Sequence, residues 1–195
     1  MWPKQQWSGT CVADAYAAGE ACGIGGLIHF PPGQCSWFSL QLKIADFQQL
    51  NIPIHHDLQK DISSLETLAQ IALVYITGRF FPGASIPIRI PTLSDNSTAE
   101  ALSNKLFSTS MPIALFLEKL SLLISSSSLE VDVSHIPGHG NTFADALSRW
   151  NGEGLPPHHF LPHDRFPLTL EAFWNLEQRP KLFPPNTRLP WKVHP

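Results

Sequence analysis

Apolar positions recur along this chain with two different periods, and the changes between them mark out its elements. Gly9 to Ala17 and Ala21 to Phe30 are runs of small and β-compatible residues, with Ala18-Gly19-Glu20 between them suited to a hairpin turn. Cys35 to Leu42 predicts a third strand, set off from the second by the breaker Pro31-Pro32-Gly33. An antiparallel three-stranded meander is the simplest arrangement. From Asp61 the period lengthens: Ile62, Leu65, Leu68, Ala69, Ala72, Leu73 and Ile76 recur at helical spacing, with Ser63 or Ser64 available as the N-cap.

Ile86 to Leu93 reads as a Pro-interrupted strand that ends in Ser94-Asp95-Asn96, with a helical pattern from Ser97 to Leu106 behind it. A further helix is predicted from Pro112, carrying Ile113, Leu117, Leu120 and Ile124 until the polar run Ser125 to Ser128. Leu129, Val131 and Val133 alternate with polar residues as a half-buried strand, and Asn141 to Trp150 returns to helical character. The predicted order is βββαβααβα. Residues 151–195 hold 9 of the 18 prolines and only a short helical pattern around Leu168 to Leu176, so they read as a Pro-rich tail. The tail's Phe160, Phe166, Phe173, Trp174, Phe183 and Trp191 are too many for a solvated linker and are expected to pack on the domain or on a neighbour.

With 195 residues and 43% hydrophobic positions the chain can bury a real core. Its longest apolar runs, such as Ile71 to Ile76, fall far short of the roughly 20 residues that span a bilayer, so no membrane partner is expected. Met1 to Trp7 has no apolar stretch behind Lys4 and fails the signal-peptide pattern, which predicts an intracellular address, cytoplasmic or nuclear. Cys11, Cys22 and Cys35 suit neither a disulfide framework nor a zinc site and read as buried thiols. Residues 1–150 carry 8 Lys and Arg against 12 Asp and Glu, while 151–195 carry 5 against 4. Proteins that grip nucleic acid unaided are usually basic, so the acids are metal ligands or nucleic acid is not the partner.

Four carboxylates stand out by placement. Asp14 falls within the first strand, Glu66 one turn into the first long helix, Asp95 at a strand end, and Asp145 inside the last helix. Clustered in apolar surroundings, like charges require a compensating cation. Hard oxygen donors without thiolate or imidazole favour Mg²⁺ or Mn²⁺. Two such ions about 4 Å apart activate water on one side of a phosphodiester and stabilise the leaving oxygen on the other. Taken alone, Asp95 ahead of Asn96-Ser97-Thr98 could equally be a helix cap.

The stretch His135-Ile136-Pro137-Gly138-His139-Gly140-Asn141-Thr142-Phe143-Ala144-Asp145-Ala146-Leu147-Ser148-Arg149 closely resembles the end of retrotransposon ribonuclease H domains, with their Ala-Asp-x-Leu-Ser-Arg motif. Ile62 to Ala69 resembles the family's Leu-Glu helix and Ser94-Asp95-Asn96 its strand-end Asp-Asn. Val12-Ala13-Asp14-Ala15 resembles the first-strand aspartate more loosely. The resemblance covers residues 8–150, after a short extension at 1–7. It implies an α/β ribonuclease H-like fold with a mixed five-stranded sheet flanked by helices. The implied activity is hydrolysis of the RNA strand of RNA–DNA hybrids by a metal-dependent endonuclease with two Mg²⁺ or Mn²⁺ ions, held by Asp14, Glu66, Asp95 and Asp145. His139 resembles the family's mobile histidine that assists turnover.

Two departures accompany this resemblance. No reverse transcriptase domain fits ahead of Trp7-Ser8, so the chain is expected to be a fragment, a processed product or a stand-alone copy. No basic helix-loop insertion is present, so grip on a hybrid is expected from the tail's Lys and Arg or from a reverse transcriptase or other polyprotein partner. The alternative reading is a catalytically silent retroelement remnant that serves as a structural or interaction module. An integrase-type relative fits the acids but not the Ala-Asp-x-Leu-Ser-Arg ending. Trp37, Phe38 and Trp150 read as core or helix-packing aromatics rather than base-stacking platforms. His55-His56 lacks partners at zinc-ligand spacing, and Glu100, Glu130 and Asp132 read as solvated.

Overall fold

The computed structural model describes residues 5–6, 9–30, 33–80, 88–127 and 129–175. Six strands are present: β1 (Gln5–Gln6), β2 (Thr10–Ala18), β3 (Ala21–Phe30), β4 (Gln34–Lys43), β5 (Ile88–Ser94) and β6 (Leu129–His135). The helices are α1 (Ile44–Gln49), α2 (Ile62–Phe80), α3 (Ser97–Lys105), α4 (Ile113–Ser127), α5 (Thr142–Arg149) and α6 (Leu170–Trp174). The predicted meander forms as β2, β3 and β4, antiparallel and in continuous register. Gly19, at φ +58°, is the first residue of the two-residue turn that joins β2 to β3, where a side chain would be strained.

β5 runs parallel to β2 and to β6. β6 pairs with the whole length of β5, so the short β1 and the start of β2 share its other edge, at Ile88–Arg89 and Thr92–Leu93. The sheet is therefore five strands wide in the order β4-β3-β2-β5-β6, mixed as expected. Ile86 and the rest of 81–87 lie outside the described residues, as do Phe183 and Trp191 of the tail.

α2 is buried almost all round, from Ser64 to Thr77. It packs on β2 and β3, with α4 against its other side. Its start differs from expectation: Ser63 and Ser64 lie inside the first turn rather than capping it. A 3-10 turn at Leu58–Asp61 runs straight into Ile62, and the cap is Asp57, whose carboxylate accepts from the Gln59 N–H at 3.3 Å. Cys22, Ile24 and Ile28 of β3 join the α2 core. Alternation along the strand then turns Gly23 and Gly25 to the opposite face, where the α5 backbone lies directly on them. A glycine floor is what admits this close approach, since a Cβ at either position would collide with the backbone at Ser148.

Residues 151–175 wrap the β4 edge and reach α2. The Phe166 N–H donates to the Trp37 carbonyl at 2.8 Å, and Trp37 Nε1 donates to the Leu161 carbonyl at 2.9 Å. The Arg165 guanidinium lies over both the Trp37 and Trp150 rings, at 5.6 and 4.9 Å from their centroids. Leu170, Phe173 and Trp174 are buried in the same hydrophobic cluster as α2. Trp37 and Phe38 are core residues as expected, whereas Asp132 is ion-paired with Arg89 at 2.6 Å rather than simply solvated. Cys11 and Cys22 are buried free thiols and Cys35 is half-buried. Among the described residues, no helix is long and apolar enough to cross a membrane.

Candidate metal centre

The β2–β5 ladder ends at Val12 and Leu93, and two residues further on stand Asp14, still within β2, and Asp95, just past the end of β5. Asp14 and Asp95 are thus brought level at the mouth where the two strands part. Glu66, in the second turn of α2, reaches the same point, so that one carboxylate oxygen from each of Asp14, Glu66 and Asp95 lies within 4.8 Å of the others. Asp14 and Glu66 are buried and Asp95 is half-buried.

Asp95 does not cap α3. The Asn96 side chain does so, accepting from the N–H groups of Thr98 and Ala99 at 3.0 Å each, which leaves the Asp95 carboxylate to the cluster. The β6 exit brings a loop against the same carboxylate: the Ile136 N–H donates to the Ser94 carbonyl at 3.0 Å, and a Cβ on Gly138 would lie 3.5 Å from Asp95 Oδ2. His139 is exposed in that loop, in the short 3-10 turn Gly138–Gly140.

Asp145 stands apart from the three. It is half-exposed on α5, and its carboxylate accepts from Arg149 Nε at 2.8 Å in an i,i+4 ion pair, with the guanidinium over the Tyr16 ring. Its charge nevertheless acts on the buried acids. Burial, then Asp95, raise the Asp14 carboxyl to about 7; the Ser148 hydroxyl and Arg149 pull it down and Asp145 pushes it further up. Burial, followed by Asp14 and Asp95, raises Glu66 to about 9, against a backbone hydrogen bond from Ala15.

Two residues of the site were not singled out by sequence. The Asn141 side-chain amide donates to Asp14 Oδ1 at 3.1 Å, and the Ser148 hydroxyl lies 3.0 Å from Asp14 Oδ2. Their signal was the spacing Asn141, Asp145, Ser148 on one face of a helix. The His55 ring and its backbone N–H both bond the buried Asp61, at 2.8 and 2.7 Å.

A cation of the hard, oxygen-seeking kind fits this arrangement. Three carboxylates converge, and among the described residues Glu66 Oε2 is buried with no hydrogen-bond partner.

No protein-family model matches the sequence, and no curated protein matches it. Solved structures do. The ribonuclease H1 of the halophilic archaeon Halobacterium salinarum superposes with a TM-score of 0.51 at 14% identity, over 74% of this chain and 95% of that one. LC11 ribonuclease H1, isolated from compost by a metagenomic approach and solved in complex with an RNA/DNA hybrid, gives 0.52 at 15% identity, over 72% and 93%. The prototype foamy virus protease-reverse transcriptase gives 0.48 at 16%, over 76% and 21%. At these identities the first two define a fold: this is an α/β protein with the mixed five-stranded sheet and flanking helices of ribonuclease H domains. On that fold, Asp14, Glu66 and Asp95 make a triad that could hold a metal ion.

Proposed function

We propose that the chain is a two-metal-ion endonuclease of retroelement descent that hydrolyses the RNA strand of RNA–DNA hybrids. The observation that carries this reading is the convergence of Asp14, Glu66 and Asp95 around a buried, unpartnered Glu66 oxygen at the parting of β2 and β5. The retroelement descent rests on the resemblance of residues 135–149 to retrotransposon domains.

Asp14, Glu66, Asp95 and Asp145 would hold two Mg²⁺ or Mn²⁺ ions. When bound, these supply Lewis-acid polarisation of the phosphodiester and a water nucleophile at neutral pH. The chain's own residues do the rest: α5 and α2 fix the carboxylates, and His139, exposed in the loop after β6, assists proton transfer or product release. Grip on the hybrid comes from the tail or from a polymerase partner.

One observation favours the alternative of a silent interaction module, namely the engagement of Asp145 by Arg149 instead of by the triad. The deciding experiment is cleavage of a hybrid labelled on each strand in turn, with Mg²⁺ and with chelator. Mg²⁺-dependent cutting of the RNA strand alone is expected; hybrid binding without cleavage would select the module.

A further inference from the structure

We propose that Ser148 is a positioning residue of this centre, locking the orientation of the Asp14 carboxylate; the proposal rests on the metal-centre reading above. A carboxylate turns freely about its last bond unless both oxygens are held. Here Asn141, the N-cap of α5, holds Oδ1, and Ser148 in its last turn holds Oδ2. One donor on each oxygen leaves the remaining lone pairs for the side on which Glu66 and Asp95 converge.

The platform that carries the hydroxyl is rigid. Gly23 and Gly25 let the α5 backbone lie on β3, while Gln41 Nε2 donates to the Ser148 and Trp150 carbonyls at 2.7 and 3.0 Å. Ser39 Oγ adds a bond to the Trp150 carbonyl at 3.1 Å. β4 thereby fixes the end of α5 from behind, and Ser148 projects toward Asp14 from a fixed point.

Residue chemistry supports a role beyond packing. Ser148 is fully buried in a helix, where alanine would fill nearly the same space and favour the helix more. Its hydroxyl also lies 2.8 Å from the Asp145 carbonyl, yet it has one proton to give. A hydroxyl donating to that carbonyl would turn only lone pairs toward Asp14 Oδ2. Donation to an ionised carboxylate is the stronger bond, because the acceptor carries a charge. The competing description, an internal helix back-bond of no consequence for the site, makes a different prediction.

The experiment is calorimetric titration of Mn²⁺ into the full chain, unaltered and as Ser148→Ala, Ser148→Cys and Asp95→Asn, with melting temperatures measured in chelator. Residues behind metal ligands typically contribute about 10-fold to 100-fold in metal affinity. Ser148→Ala and Ser148→Cys are expected to bind Mn²⁺ about 10-fold more weakly, since alanine has no donor and a thiol, though larger than the hydroxyl, is a poor one. Ser148→Ala should still melt cooperatively without metal, lower by only the few degrees that one lost hydrogen bond is worth. Hybrid cleavage should lose kcat at limiting Mn²⁺ and regain it at saturation, with KM for the hybrid unmoved.

Equal Mn²⁺ affinity in Ser148→Ala would overturn the proposal and leave the metal centre standing. So would a loss in Ser148→Ala that Ser148→Cys does not share, or a Ser148→Ala chain that loses its cooperative melting in chelator, since either assigns the residue to packing. No Mn²⁺ binding by the unaltered chain, or binding that Asp95→Asn leaves unchanged, would overturn the metal-centre reading and this proposal with it.

Discussion

Gly25 of β3 lies directly beneath the backbone of Ser148, so close that a Cβ there would collide with the Ser148 amide nitrogen and with Leu147. Gly25 is also the strand partner of Asp14, so the same residue seats the helix and faces the acid that the helix holds. Gly25→Ala is expected to push α5 outward, at about 1–3 kcal/mol for overpacking, and to shrink the melting-temperature rise given by Mn²⁺. Gly140→Ala, whose Cβ would meet nothing within 4 Å, should change stability by less than about 0.5 kcal/mol. Thermal melting with and without Mn²⁺ compares the two.

Asp95→Asn should reduce hybrid cleavage to background while the chain stays folded. The α3 cap belongs to Asn96, so the substitution removes a ligand charge without touching the helix start. Millimolar Mg²⁺ should raise the melting temperature of the unaltered chain, by about 2.7 kcal/mol of added stability at a hundredfold excess over Kd, and should do so far less in this variant. Full activity in Asp95→Asn would sink the assignment.

The buried acids set a pH dependence whose sign follows from their raised values. The unfolded chain releases these protons near the ordinary carboxylate range, whereas the folded chain keeps them until about 7 at Asp14 and about 9 at Glu66. Between roughly pH 4 and 9 the native state binds more protons, so these groups make stability fall as pH rises. In chelator the melting temperature should drop across this window, drop only up to about pH 7 in Glu66→Gln, where Asp14 alone still carries the effect, and flatten in the unaltered chain when Mn²⁺ is added. A melting temperature that rises with pH in chelator contradicts the burial of these charges.

Ending the chain after Trp150 removes Phe173, Trp174 and Leu170 from the core and uncovers Trp37. Burying an aromatic residue of this size contributes several kcal/mol, with truncations to alanine costing about 3–5. The shortened chain should melt well below the full one, or lose its cooperative transition, as circular dichroism would read. An unchanged melting temperature would show that residues 151–175 cover the core without supporting it.

His139→Ala should slow turnover by about 10²-fold or less, because general acid–base contributions run to roughly 10²–10⁴-fold and the carboxylates that would hold the metals remain. Asp14→Asn should be far more damaging. Steady-state cleavage by the two variants makes the comparison, and an unaltered rate in His139→Ala would return that residue to an ordinary loop position.

The periodicity of the chain showed the meander, the long helix and the strand-end aspartate, because burial on one face leaves a repeating mark on sequence. Asp14, Glu66 and Asp95 could be placed on their elements in this way. Their meeting depends on register, which puts Asp14 level with Asp95, and no local pattern encodes a register between strands so far apart. α1 escaped notice because it is short; its signals were the apolar pair Ile44 and Phe47 and the Asp46 carboxylate, which accepts from the Lys43 N–H at 2.7 Å. Asn141 and Ser148 looked like helix residues of no special chemistry, since their partner is 127 and 134 positions away. The Asp145–Arg149 pair was legible as an i,i+4 spacing, but which partner Asp145 would choose was not.

That sequence separation has a consequence for how the molecule comes into being. In synthesis Asp14 precedes the two donors that grip it by 127 and 134 residues. Any nascent or truncated form that stops short of Ser148 therefore has the acids without their clamp. The candidate metal centre is assembled only once the span from Asp14 to Ser148 has been synthesised, which couples it to completion of the fold.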